Sequence, residues 1–279
     1  MASPLEFFFV PWQFSPTVAV AVACAAGIYC RGATRTRPPL RAGRRLAFYL
    51  GLLVIYCALQ TQWSYYASHM LFVLQLQHFA LHDLGPALLA WAAPRAVLAR
   101  GLPRCVQTRA RGVQGLTRGP ARLLLNPFIA ATVYVAALLV WLLPPLAFDA
   151  MLSNPLYRLM SWSVLAGALP FWALLLDPRP HPRARLKPGH RIVMLHLAML
   201  PIVLTGAALT LSGRDWYPVY AVCGRFLPIP AVADQQLGGA VMWLLGAGLF
   251  AVVFFIVLGR NLEQEEAALS VRRLADHSW

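Results

Sequence analysis

Residues 64–94 read SYYASHMLFVLQLQHFALHDLGPALLAWAAP, a stretch long enough to cross a bilayer that nevertheless carries His69, His78, His82, Asp83, Gln75 and Gln77. Ionisable groups and amides at hydrocarbon depth must find partners, so they turn toward a bundle interior and mark a site. His78 and His82 are four residues apart and share one helical face, with Gln75 one turn before His78. His69 lies nine residues before His78, about 180° round the helix and roughly 13 Å along its axis. It reaches the other two only with help from another helix. The thioethers add a second donor type: Met70 beside His69, Met242 further on, and the MLHLAM run, where Met199 follows His196 by three residues. Imidazole and thioether are the donors a copper site uses, methionine favouring Cu(I).

Each of these residues also has a plainer reading. A methionine in a membrane helix is usually packing filler, and a lone His196 is satisfied by a hydrogen bond across helices. Asp234 stands where it caps the last apolar helix, and Gly238 and Gly239 permit close helix approach there. His78, His82 and Asp83 are harder to dismiss, because three ionisable groups within two turns are costly in hydrocarbon. The sequence has no HExxH, Walker loop, nucleophile elbow or CxxCH motif, so no enzyme is expected.

The elements that must position these residues are membrane helices. Only 12% of the 279 residues are charged and 59% are hydrophobic, against about 25% charged in a soluble domain. The apolar runs are long enough for helices rather than barrel strands. They predict an all-α polytopic bundle, a single membrane domain over 1–279 with seven spans near 14–29, 46–63, 69–91, 126–148, 156–176, 190–211 and 235–258. Residues 260–279 are left as a short cytoplasmic tail. The net charge of +14 does not call for nucleic acid, because the basic residues sit in loops between spans. Of the 24 Lys and Arg residues, only Arg158, Arg214 and Arg225 fall on the side opposite the basic loops. The positive-inside rule then puts the N-terminus outside and the C-terminus in the cytoplasm. The basic loop 95–122 reads as a segment lying against anionic headgroups, and it lacks aromatic residues for base stacking. The five cysteines show no CxxC or paired spacing, and residues 1–13 lack the basic-then-apolar pattern of a cleavable signal peptide.

Several pieces together resemble the bacterial CtaG-type cytochrome c oxidase assembly factor family of seven-span membrane proteins. They are YYASHM with QLQHFALHDLGP, WLLPPLAFDAML, LYRLMSWS, LPFWALLLDPRP, YPVY and ADQQLGGAVMW, in that order between about residues 49 and 260. The resemblance implies a bacterial inner-membrane protein that assists maturation of a haem–copper terminal oxidase by handling copper at the outer side. Its partners would be oxidase subunits and membrane lipids. His69, Gln77 and His78 stand where the family pattern wants them. Leu74 and Leu142, and more loosely Ala147 and Tyr157, stand where relatives carry histidine. On this reading copper passes through His69, Met70, His78 and His82, with Asp83, Gln77, His196, Met199, Asp234 and Met242 as further polar or ligand candidates. Two other readings compete: a transporter with His82 and Asp83 as its midplane site, disfavoured by the lack of internal symmetry, and a haem protein with His82 and His196 as axial ligands.

Overall fold

The computed structural model describes residues 14–109, 119, 123–179 and 184–276. Residues 1–13, most of the second half of the basic loop, His181 and His277 lie outside them. Every element among the described residues is helical, as hydrocarbon requires of a chain that must satisfy its own N–H and C=O groups. In order they are Pro16–Thr34 (α1), Ala42–Gln60 (α2), Trp63–Ala67 (α3), Leu71–His78 (α4), a π-helical turn Phe79–Leu84, and Gly85–Trp91 (α5). Then come Arg95–Gly101 (α6), Pro127–Leu139 (α7), a 3₁₀ turn Val140–Leu142, Pro144–Leu152 (α8), Asn154–Leu175 (α9) and Pro188–Leu211 (α10). Val219–Cys223 (α11), Ala231–Ala240 (α12), a second π-helical turn Val241–Leu245 and Gly246–Asp276 (α13) complete the chain.

Among the described residues, five helices are long and apolar enough to cross a membrane, and six if one bent pair counts as a span. The bent pair corrects the expected fourth span. Residues 126–148 are not one helix: the chain turns by 73° between the segment ending at Leu142 and Pro144–Leu152. The cause is local. A residue before proline is driven out of the α region, and Leu143, before Pro144, sits at φ −64°, ψ 122°. At the other end of the segment, Asn126 caps α7 by accepting the N–H groups of Phe128 and Ile129. The last helix starts four residues before the expected 235 and runs on through most of the tail to Asp276. The basic loop begins with a helix. Arg95–Gly101 docks on α1, with Gly32 facing the Val97 carbonyl and Gly101 facing the Ile28 carbonyl so closely that no Cβ fits at either position.

The run Leu71–Trp91 is helical throughout, as α4, a π turn and α5. It is the centre of the bundle, packed by α2, α9, α12 and the start of α13. That placement explains its composition. Gln75, Gln77, His78, His82 and Asp83 are all buried within protein, where partners from other helices are in reach. Gly238 sits against Leu71 and Phe72, and Gly239 against Gly206 and Thr210, so this pair of glycines lets α12 fit between α4 and α10.

Candidate functional site

The central helix carries two polar clusters of opposite character. In the first, Gln77 Nε2 donates to the Ala58 carbonyl at 2.6 Å and to Ser64 Oγ at 3.1 Å. Its Oε1 accepts from the Tyr157 hydroxyl. Every polar atom of this amide has a partner, and the knot joins α2, α3, α4 and α9.

In the second, one residue on, His78 is buried with neither ring nitrogen hydrogen-bonded, and Gln75 Nε2 is likewise unpartnered. Both line a cavity of about 10 Å³ together with Asp83 and Met242, room for about one water or ion. Burying a polar group without a partner costs a few kcal/mol, so an imidazole kept in this state calls for a reason. The backbone around the cavity is also unusual. A π turn begins immediately after His78, and Met242 lies in the second π turn on the facing helix. π-helical turns inside α-helices occur frequently at functional sites, and here two of them, on neighbouring helices, meet at one cavity.

His82 and Asp83 lie within the first π turn. His82 Nε2–H donates to the Tyr134 carbonyl at 2.9 Å, and its ring stacks on Tyr134 at a centroid distance of 3.9 Å. Its Nδ1 stands 3.4 Å from Asp83 Oδ1, which accepts the Tyr134 hydroxyl. Pro86 has no N–H, so the His82 carbonyl loses its ordinary donor four residues on. Trp172 Nε1–H supplies the replacement at 2.9 Å. Tyr134 and Trp172 were not singled out in the sequence. The spacing of His82 to Pro86 is the one local signal that a donor from another helix was needed.

The other candidates fall elsewhere. His69 Nδ1–H donates to the Tyr65 carbonyl at 2.7 Å, and Ser68 Oγ is 3.0 Å from the same atom. Met70 is fully buried, at the start of α4. His69 and Met70 thus sit nine and eight residues before His78, roughly 12–13 Å along the axis, and the structure does not gather His69, Met70, His78 and His82 into one shell. Among the described residues, no three of the His, Cys, Asp and Glu side chains could together hold a metal ion. His82 and His196 are not brought together either. His82 is enclosed against Tyr134, whereas His196 is exposed, hydrogen-bonded to the Ile192 carbonyl at 2.8 Å and in edge contact with Phe254. Met199 packs at the margin of the core.

Asp234 is a correction. It does not cap its own helix, which starts three residues earlier at Ala231 after Pro230. It caps α4 from across the bundle, accepting Leu71 N–H on Oδ2 and Phe72 N–H on Oδ1 at 3.0 Å each. A carboxylate at a helix N-terminus satisfies free donors and suits the helix dipole. Arg225, from the loop before α12, pairs with the same carboxylate at 3.5 Å.

The fold and site define a helical membrane bundle organised around one central helix with a buried, incompletely satisfied polar pocket. The chain belongs to the cytochrome c oxidase caa3 assembly factor family, Caa3_CtaG, which matches residues 27–264. Neither a curated protein nor a solved structure gives a match.

Proposed function

We propose that this protein assists maturation of a haem–copper oxidase by holding Cu(I) transiently in the cavity beside His78. Membership of the oxidase assembly factor family supports the setting. The observation that carries the site is the buried His78 imidazole with two unpartnered nitrogens, sharing its cavity with the Met242 thioether. One imidazole and one thioether form a donor pair that suits Cu(I), and Asp83 on the same cavity wall offers charge balance. His69 and Met70, at the outer end of the same helix, then serve as an entry point rather than as ligands of the buried site. The oxidase subunits are the receiving partners, and no catalytic turnover is involved.

In this proposal Leu71–Trp91 is the third of seven spans, and the bent pair Pro127–Leu142 with Pro144–Leu152 holds the fourth. The protein sits in the bacterial inner membrane with its N-terminus outside. The arginine distribution supports that orientation.

The test is Cu(I) titration of the purified protein against a competing chromogenic chelator. Wild-type protein should retain a single Cu(I), His78→Gln should lose it, and Met242→Leu should hold it more weakly. Binding that is absent from wild type, or unchanged in His78→Gln, would remove copper from this cavity.

A further inference from the structure

A second concavity, sharing no lining residue with the His78 cavity, lies on the outer wall of the bundle between α7 and α10. It has a volume of about 460 Å³ and an almost wholly apolar lining. The local sequence explains why a groove forms. Ala131, Ala136 and Ala198 supply short side chains along its wall, while Phe128 and Val193 stand out at its edges. Pro201 lies inside α10 and also lines the groove, and it has no N–H to give the Leu197 carbonyl four residues earlier.

One end of this groove is cationic. His190 is part of the lining, and Arg185 and Lys187 are exposed just before α10 begins. Arg185 also donates to the Leu125 carbonyl at 3.1 Å, which holds this segment against the approach to α7. An apolar channel with a cluster of positive charge at one mouth matches one class of ligand, an acyl chain bearing an anionic headgroup. Basic residues near a membrane surface attract anionic lipid by about 1 kcal/mol each, and a groove continuous with them adds the burial of a chain. A transmembrane helix of a partner protein would fill the apolar part but would leave the cationic mouth unused.

We propose that the α7–α10 groove is a binding site for an anionic phospholipid, its phosphate held by Lys187 and His190 and one acyl chain laid along Ala131 and Ala198. The site is independent of copper handling.

The experiment is thermal unfolding of the delipidated full-length protein in detergent, with phosphatidylglycerol or phosphatidylcholine of identical acyl chains added. Phosphatidylglycerol should raise the unfolding temperature several degrees more than phosphatidylcholine. A Lys187→Gln, His190→Gln double variant should abolish that difference, and Ala131→Trp, which fills the groove, should reduce the effect of both lipids. Equal stabilisation of wild type by the two lipids would overturn the proposal. So would a preference for phosphatidylglycerol that survives in the double variant, since the preference would then arise elsewhere. The double variant changes only exposed residues, so it keeps the test decisive if Ala131→Trp fails to fold.

Discussion

Gln77 and His78 are neighbours in sequence and equally buried, yet their surroundings are opposite. Gln77 has all its hydrogen-bonding atoms engaged, by Ala58, Ser64 and Tyr157. His78, about 100° further round the helix, has none engaged and faces a cavity. One is what a structural polar group in a membrane bundle looks like, because its removal would leave partners unpaired. The other is a polar group that the fold tolerates without using. Residue type alone does not separate a tie from a site in this helix. What separates them is whether the hydrogen-bonding capacity is already spent.

The strongest way to disturb the whole region is at the cap both residues depend on. Asp234→Ala removes the acceptor for Leu71 and Phe72 N–H and leaves Arg225, which is mostly buried, with only the 4.0 Å contact to Asp215. Breaking a buried pair by removing one partner costs about 3–5 kcal/mol. The variant should therefore accumulate poorly in membranes, measurable by immunoblot, and unfold at a markedly lower temperature once purified. A stable, abundant variant would mean that the cap is dispensable.

The comparison itself is sharpened by removing each neighbour's polarity. Gln77→Leu should destabilise by about 1–3 kcal/mol, because the Tyr157 hydroxyl and the Ala58 carbonyl are left without that partner. His78→Leu should be neutral or slightly stabilising, since it removes a polar group that bonds to nothing. Thermal unfolding of the two variants side by side gives the answer. Equal losses would erase the distinction drawn here.

The smallest effect is expected at the end of α9, outside the membrane-spanning segment. Burial pushes the Asp177 carboxyl up, but the hydrogen bonds and charge of Arg179 outweigh it and hold the group below its ordinary range. A depressed folded-state pKa gives stability that is present above the unfolded value, near 4, and is lost as pH falls through the folded value. Arg179 is about half exposed, so the pair contributes no more than about 1 kcal/mol. Asp177→Asn should lower the unfolding temperature slightly at neutral pH and not at all in strong acid. A constant difference across that range would assign the effect to something other than charge.

Much of this arrangement was legible in the sequence. Long apolar runs fixed the helices, and a polar cluster at 75–83 within such a run could only be stable at the centre of a bundle. The two glycines at 238 and 239 announced a close approach, which the structure places against α4 and α10. Other features required contacts that no local pattern encodes. Asp234 has the look of a cap for its own helix, and which helix it caps depends on where Leu71 and Phe72 arrive in space. Tyr134 and Trp172 read as ordinary aromatic residues of apolar helices until their polar ends are seen on Asp83 and on the His82 carbonyl. The set His69, Met70, His78 and His82 was grouped by type, whereas a rigid helix spreads the first two away from the third. Leu74 and Ala147 are packed within one apolar core cluster, with Tyr157 against its edge.

The most direct test is oxidase maturation in a strain whose only copy of the gene carries His78→Gln, with the variant's membrane level checked against wild type. The central claim predicts normal accumulation of the protein and loss of assembled oxidase activity, with Gln77→Leu reducing activity only in proportion to its lower abundance. Full oxidase activity in the His78→Gln strain would contradict the claim and leave the cavity as a packing defect.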